Sequence, residues 1–86
     1  KGGIHNFTRY LASYYGLKNV RVNAICPGGI FDEQPAQFIT NYNSRVPMGR
    51  LAKPNEIGGP VVFLASSAAS YVTGVTLMVD GGWTAI

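Results

Sequence analysis

Cysteine and charged residues are scarce in this 86-residue sequence, which has one cysteine, Cys26, and only 13% charged residues. A single cysteine cannot form a disulfide within the chain, so we expect a reducing compartment and a cytoplasmic location. No apolar run reaches the roughly 20 residues of a membrane-spanning helix. The first residues also lack the basic, apolar and small regions of a signal peptide. We therefore expect no contact with a membrane.

The usual sequence signals of metal, phosphate and nucleic-acid sites are also missing. There is no Gly-x-Gly-x-x-Gly, no P-loop and no cluster of cysteine and histidine, so no metal site is predicted. The formal net charge is +3, but the basic residues are spread along the chain without a dense run. Nucleic-acid binding is therefore not expected. The single histidine, His5, falls away from the apolar stripe of its predicted helix and is expected at the surface.

The chain does have alternating helical and strand patterns. Residues 4–15 carry apolar side chains at helical spacing, with Gly16 as a helix-ending residue, and this helix is expected to pack on an apolar surface. Residues 19–26 predict a buried strand, which the Pro-Gly-Gly sequence at 27–29 ends. The apolar stripe of the helix consists of Ile4, Phe7, Leu11, Ala12 and Tyr15.

A second helix and strand follow after a long connection. Residues 30–53 are too many for a simple link, so they predict a lid or substrate loop, with a short helix at 35–44. Pro54 suits the first position of another helix, in which Pro60 is expected to cause a kink or mark the effective start. Residues 75–79 predict a second strand. A right-handed crossover would make the two strands parallel and place them in one sheet.

These segments, in this order and spacing, resemble the C-terminal part of short-chain dehydrogenases/reductases. Lys1, at the start of an amphipathic helix, is similar to the end of that family's Tyr-x-x-x-Lys motif. The other matching segments are residues 20–29 (VRVNAICPGG), 50–57 (RLAKPNEI), 61–66 (VVFLAS), 71–74 (YVTG) and 79–82 (VDGG). The resemblance implies a doubly wound, Rossmann-like α/β fold. Residues 1–86 would be the C-terminal portion of a single NAD(P)-binding domain, cut from a longer chain.

The resemblance implies a catalytic and cofactor-binding role for Lys1. The family's acid/base is a tyrosine four residues before this lysine, and its ordinary pKa of about 10 is too high for proton transfer near neutral pH. A lysine four positions later lies on the same helix face. Its ammonium group would stabilise the phenolate and hold the ribose hydroxyls of the nicotinamide nucleotide. That tyrosine would precede Lys1 and is not in this sequence.

The resemblance also assigns cofactor-binding positions to Pro27, Gly28 and Ile30. They follow a strand, at the edge where open α/β sheets place their ligands. In the family the backbone here lies against the nicotinamide carboxamide, and glycine permits such a close approach. A simple tight turn is the alternative interpretation. Asp32 stands where the family usually has threonine, and an acid beside cofactor phosphates is unfavourable. Asp32 is therefore expected to face solvent or substrate, or the loop to be displaced.

Taken together, the resemblance implies an oxidoreductase that uses NAD or NADP to move a hydride between nicotinamide and the alcohol or carbonyl carbon of a small molecule. It also implies a homotetramer or homodimer. The 86-residue chain alone is expected to be inactive, since the Gly-rich motif, the family's serine and its tyrosine are missing. Two alternatives stay open. One is a non-catalytic assembly or binding subunit of the same fold, and the other is a small independent helix-strand domain with an interaction role.

Overall fold

The computed structural model describes residues 2–86, so Lys1 and the roles expected of it lie outside the described residues. Three α-helices and two β-strands alternate along the chain. They are α1 (Gly2–Tyr15), β1 (Ala24–Pro27), α2 (Ala36–Asn43), α3 (Asn55–Ala65) and β2 (Thr76–Val79). Short 3-10 turns follow α1, α3 and β2. This order agrees with the predicted one, with β1 shorter at its start than the sequence pattern suggested.

The two strands are parallel neighbours in one sheet, as the crossover rule predicted. Ala24 lies opposite Thr76, and Pro27 lies opposite Val79 at the far end. Proline has no backbone N–H, so it suits the last position of the strand. The ladder continues one residue further, because the N–H of Gly28 donates to the carbonyl of Val79 over 2.9 Å. The chain between the strands includes α3, which packs on both of them.

α1 ends at Tyr15, directly before Gly16, as predicted, but Gly16 is not a left-handed cap residue. Gly16 begins a 3-10 turn that continues to Lys18. Asn19 then adopts the left-handed conformation, with φ of 58°, and its N–H donates to the carbonyl of Gly16 over 3.2 Å. Asparagine tolerates this conformation better than most residues. The left-handed position therefore lies three residues later than expected.

The packed side of α1 coincides with only part of the stripe that its apolar residues predicted. Thr8 and Ala12 are the buried residues of this helix. A Cβ at Gly74 would lie 3.3 Å from the Cβ of Ala12, so small residues let the helix approach the segment before β2. Ile4 and Phe7 are 66% and 60% exposed, so the expectation that they would be covered is wrong for residues 2–86. The C-terminal half of the predicted stripe is buried or half-buried, so only its first turn lies on a face that residues 2–86 leave open.

α3 begins directly after Pro54, as predicted, and continues through Pro60. Pro60 is thus not the start of the helix, which is already formed five residues earlier. Ile57 and Leu64 of its apolar face are half-buried, whereas Val61 is 49% exposed. Within residues 2–86 this face is therefore covered only in part.

The buried apolar side chains of residues 2–86 are few and mostly small. They are Ala12, Val46, Leu51 and Ala69, and two of these belong to the connection between β1 and α3. The radius of gyration is 15.2 Å, against about 12 Å for a compact domain of this length. Many large apolar side chains on α1, on α3 and around β2 are exposed. The chain therefore buries little surface of its own, except beside the carboxyl end of the sheet.

Candidate functional site

The carboxyl ends of β1 and β2 meet at one edge of the sheet, where open α/β sheets bind ligands. Two turns leave this edge. The first begins at the last residue of β1 and comprises residues 27–30, which we call the 27–30 turn. The second comprises residues 80–82, which follow β2. The chain between Ile30 and Ala52, which we call the 31–51 loop, folds back over both turns. Three fastenings hold it there.

The first fastening is a parallel bridge at the base of the loop, between Ile30 and Ala52. The N–H of Ala52 donates to the carbonyl of Gly29 over 2.9 Å, and the N–H of Phe31 donates to the carbonyl of Ala52 over 2.8 Å. Gln34 Nε2 donates to the carbonyl of Ile30 over 2.8 Å. These bonds fix where the loop leaves the sheet edge and where it returns.

The second fastening is the side chain of Tyr42, on α2. Its hydroxyl oxygen accepts a hydrogen bond from the N–H of Gly29 over 2.8 Å. The ring is stacked between two others, with centroids 6.2 Å from Phe38 and 5.2 Å from Trp83, both at interplanar angles of 15°. Neither Tyr42 nor Trp83 was predicted as a site residue. The sequence did place Phe38 and Tyr42 on one side of the short helix, but nothing in it indicated the contacts with residues 29 and 83.

The third fastening joins residues 46–48 to the turn after β2. The N–H of Met48 donates to the carbonyl of Gly81 over 3.0 Å. Gly81 and Gly82 have positive φ, of 63° and 96°. A Cβ at Gly81 would lie 3.1 Å from Val46, and one at Gly82 would lie 2.9 Å from the ring of Pro47. Glycine is therefore required here by both the backbone conformation and the close approach of the loop.

The glycines of the 27–30 turn are also explained by contacts within the chain. A Cβ on Gly28 would lie 2.9 Å from Cα and Cβ of Asp80. A Cβ on Gly29 would lie 2.6 Å from Leu51 Cδ2 and 2.7 Å from Tyr42 Cζ. The resemblance suggested that glycine at 28 makes room for a bound nicotinamide. The structure gives a different physical reason, because the space is filled by the turn after β2 and by the loop.

Asp80 holds the turn after β2 in place. Its carboxylate accepts hydrogen bonds from the N–H of Gly82 at 3.0 Å, the N–H of Thr84 at 3.2 Å and the hydroxyl of Thr84 at 2.8 Å. The hydroxyl bond from Thr84, followed by the two backbone N–H groups, holds the pKa of Asp80 below its ordinary value, although desolvation acts the other way. The carboxylate is therefore ionised at neutral pH and acts as an acceptor for this turn.

Arg50 and Glu56 form a bidentate ion pair at the end of the loop, with distances of 2.7 and 2.9 Å. Glu56 also accepts from the N–H of Lys53 over 2.8 Å, as a helix-capping carboxylate does. The bonds from Arg50 and then from the Lys53 N–H lower the pKa of Glu56 from 4.5 to about 2. The Arg50 guanidinium is thus engaged within the chain.

A cavity of about 160 Å³ lies between the loop and the sheet edge. Its lining includes Gly29, Tyr42, Met48 and Asp80, so it touches all three fastenings. Polar groups of both signs reach it, since Arg50 and Glu56 also contribute to its wall. Its mixture of apolar and convergent polar groups is that of a small-molecule site, but its volume is below the roughly 300 Å³ of such sites, so it has room for only part of a ligand.

The predicted binding residues lie together on the 27–30 turn. Pro27 is exposed, whereas Gly28 and Ile30 are half-buried. Within residues 2–86 the backbone N–H of Ile30 has no hydrogen-bond acceptor, although its carbonyl is used by Gln34. An N–H group left free at the sheet edge suits a carbonyl oxygen of a ligand. The turn can therefore hold an amide or carboxamide group through its backbone.

The other residues considered in the sequence lie elsewhere. Asp32 is exposed and its N–H is bonded to Gln34 Oε1 over 2.8 Å, so its side chain faces solvent. His5 is exposed, as expected, and its Nδ1 lies 2.6 Å from the hydroxyl of Thr76 at the start of β2. Among the described residues there is no group of metal-binding side chains. No helix in this part of the chain is long and apolar enough to cross a membrane.

The sequence matches a family described as enoyl-(acyl carrier protein) reductase over residues 1–84. It is 46% identical to galactitol 2-dehydrogenase (L-tagatose-forming) of Cereibacter sphaeroides, over 98% of this chain and 35% of that protein. It is 39% identical to L-rhamnose 1-dehydrogenase (NAD(P)(+)) of a Sphingomonas species, over 95% of this chain and 35% of that protein. The chain therefore spans about a third of the length of these relatives.

Solved structures share the fold. The crystal structure of a short-chain dehydrogenase from Leptospira borgpetersenii with bound NAD+ superimposes with a TM-score of 0.92 and 49% sequence identity. The match covers 96% of this chain and 33% of that one. The α/β arrangement of residues 2–86 is thus that of the C-terminal part of a Rossmann-like parallel sheet, as predicted.

Proposed function

Because this chain belongs to the short-chain dehydrogenase/reductase family, we propose that it is the C-terminal portion of an NAD- or NADP-dependent oxidoreductase that interconverts an alcohol and a carbonyl compound. The observation that carries the proposal is the 27–30 turn. It lies at the ligand-binding edge of a parallel sheet, it is held rigidly by the chain's own loop, and it keeps the Ile30 N–H free. The dehydrogenase activities named for the relatives support the same reaction class.

The residues of the turn fit a nicotinamide carboxamide. Pro27, Gly28 and Ile30 present backbone and ring surface at the sheet edge, and the Ile30 N–H would donate to the carboxamide oxygen. The bound NAD(H) or NADP(H) supplies or accepts the hydride. The chain's own contribution is to orient the nicotinamide ring, which a rigid turn does with little loss of conformational freedom on binding. The Leptospira relative carries NAD+, and the Sphingomonas relative is named for both cofactors.

Lys1 would serve both catalysis and cofactor binding. Its ammonium group would lower the pKa of a tyrosine four residues before it, so that the phenol can exchange a proton with the substrate oxygen near neutral pH. The same ammonium group would donate to the ribose hydroxyls. The remaining machinery, including that tyrosine and the Gly-rich phosphate-binding turn, would precede residue 1, and the 86-residue chain alone would be inactive.

The connection between β1 and α3 would form the substrate loop, about residues 30–53, over the cavity at the sheet edge. The substrate would be a small-molecule alcohol or carbonyl compound. The exposed apolar surfaces of α1 and α3 would be covered by the rest of the domain and by further copies in a homodimer or homotetramer. We place the protein in the cytoplasm. No observation on residues 2–86 favours a non-catalytic assembly subunit.

The test is a Lys1→Ala substitution in the full-length protein, with Lys18→Ala as the matched control. Lys18 is an exposed lysine in the turn that follows α1. Formation of reduced nicotinamide is measured with a panel of alcohols, NAD+ and NADP+. We expect kcat to fall about 10²- to 10⁴-fold for Lys1→Ala, the range for loss of acid–base assistance, and to stay at the wild-type value for Lys18→Ala. Unchanged turnover in Lys1→Ala, or a wild-type protein that binds neither cofactor, would contradict the proposal.

A further inference from the structure

We propose that Tyr42 is a positioning residue that couples the 31–51 loop to the 27–30 turn, so that the placement of the loop and the orientation of the nicotinamide-binding backbone are set together. This inference rests on the proposed function of the turn, and adds to it a residue that contacts neither the nicotinamide nor the reacting atoms. Tyr42 acts through the peptide groups that flank Gly29.

The loop holds both polar groups of Gly29. Its N–H donates to the Tyr42 hydroxyl over 2.8 Å, and its carbonyl accepts from the N–H of Ala52 over 2.9 Å. The peptide planes on both sides of Gly29 are therefore oriented by residues of the loop and its base. Because one of these planes carries the N–H of Ile30, a rotation at Gly29 would redirect the donor that faces the ligand. The Ala52 bond belongs to the base of the loop, whereas the Tyr42 bond depends on the position of α2.

The packing of the Tyr42 ring holds its hydroxyl within hydrogen-bonding distance of the Gly29 N–H. Its ring is stacked between Phe38, one helical turn earlier, and Trp83, beyond the end of β2. The missing side chain of Gly29 leaves the space that the ring occupies, with Tyr42 Cζ only 2.7 Å from the ideal Cβ position. Since Trp83 belongs to a different segment from α2, the stack also joins the loop to the turn after β2. Displacing α2 would break the stacking of Tyr42 on Trp83 and the Gly29 bond at the same time.

This coupling gives the loop a direct effect on cofactor binding. When α2 lies against the 27–30 turn, the Gly29 N–H is hydrogen-bonded to the Tyr42 hydroxyl and the turn has one orientation. When α2 moves away, that N–H loses its acceptor, and the backbone around Gly29 gains freedom that must be lost again when the nicotinamide binds. A substrate that holds the 31–51 loop against the 27–30 turn would therefore strengthen cofactor binding. A bound cofactor would favour this position of the loop by the same factor.

The test is Tyr42→Phe in the full-length protein, which keeps the ring stack and removes only the hydroxyl. Two quantities are measured: the Kd of NADH or NADPH by nicotinamide fluorescence, and the hydrogen-exchange rate of the Gly29 amide. Loss of one net hydrogen bond corresponds to about a fivefold change. We expect the Kd to rise by about that factor and the Gly29 amide to exchange several-fold faster. Tyr71→Phe is the matched control, because the Tyr71 side chain is fully exposed.

A second variant, Trp83→Leu, removes the stacking partner and leaves the hydrogen-bonding atoms intact. We expect it to shift both quantities in the same direction as Tyr42→Phe. Wild-type Kd and exchange in Tyr42→Phe would overturn the proposal, and so would an equal change in Tyr71→Phe. A wild-type protein that binds neither NADH nor NADPH would remove the proposed function and the coupling together. Normal wild-type binding with an unaltered Tyr42→Phe variant would remove the coupling alone.

Discussion

The glycines of this chain occupy two kinds of surroundings. At the carboxyl edge of the sheet, residues 28–29 and 81–82 are crowded, and a Cβ at any of them would lie 2.6 to 3.1 Å from another segment of the same chain. In the helices, residues 2–3 and 58–59 have no atom within 4 Å of an ideal Cβ, apart from the backbone of their own helix. The first group is explained by contacts within the chain, and the second is not.

The difference shows which part of the molecule this chain completes by itself. The carboxyl edge is assembled from the 27–30 turn, the 31–51 loop and the turn after β2, which hydrogen-bond to one another and leave the N–H of Ile30 free within residues 2–86. The helices α1 and α3 leave large apolar side chains and glycines open. Glycine costs a helix about 1 kcal/mol relative to alanine. No contact within residues 2–86 explains its presence in α1 and α3.

The largest expected effect is at the crowded edge, with Gly29→Ala. The new methyl group would lie 2.6 Å from Leu51, which is 6% exposed, and 2.7 Å from the Tyr42 ring. Neither side chain can move without opening the loop, so we expect the free energy of unfolding to fall by about 3 kcal/mol. Urea unfolding of the full-length protein measures this loss. Gly16→Ala is the control, since nothing lies within 4 Å of its Cβ position.

If Gly29→Ala and Gly16→Ala changed stability equally, the comparison between crowded and open glycines would be wrong. If Gly29→Ala lost stability without a change in cofactor affinity, the role of Gly29 in packing the loop would be separate from its role in orienting the Ile30 N–H. It would mean that the methyl group weakens the packing of the loop while the Ile30 N–H keeps its orientation.

The ion pair at the end of the loop is expected to have a smaller effect, and one that depends on pH. The pKa of Glu56 is about 2 in the folded chain, against an ordinary value of 4.5. A lowered pKa means that the carboxylate stabilises the fold above pH 4.5 and that this contribution is lost as the pH falls towards 2. The side chains of Arg50 and Glu56 are 44% and 38% exposed, so solvent screens the pair and the effect is small.

Glu56→Gln tests this expectation, because glutamine has a similar shape and does not titrate. The difference in the free energy of unfolding between wild type and Glu56→Gln should be greatest above pH 4.5 and should shrink as the pH approaches 2. Asp80, whose pKa is also lowered, is present in both proteins and cancels in the difference. A difference that stayed constant over this range would show that Glu56 acts only through its hydrogen bonds and not through its charge.

The sequence predicted the parts of the fold that depend on local patterns. The short helix at 36–43, the start of α3 after Pro54 and the parallel pairing of β1 with β2 all follow from spacing, proline and crossover handedness. The contact of Tyr42 with Gly29 depends on how the loop folds back, which no local pattern contains. On α1 the C-terminal half of the predicted stripe is covered, but Ile4 and Phe7 are exposed, because apolar periodicity indicates a face that is covered by something and not which segment covers it.

The smallest expected effects are at the open glycines of α3, and they test the other half of the comparison. In residues 2–86 nothing opposes a methyl group at Gly58 or Gly59, so helix propensity alone predicts a gain of about 0.5 to 1 kcal/mol for each alanine. Consecutive helical residues point about 100° apart, so a single neighbouring segment can crowd one of them more than the other. A gain at both positions in thermal unfolding of the full-length protein would mean that this side of α3 stays open. A loss at one and a gain at the other would mean that a segment outside this chain, or a second copy, packs against the position that loses stability. Reduced association of that variant in sedimentation velocity would identify the second copy as the neighbour.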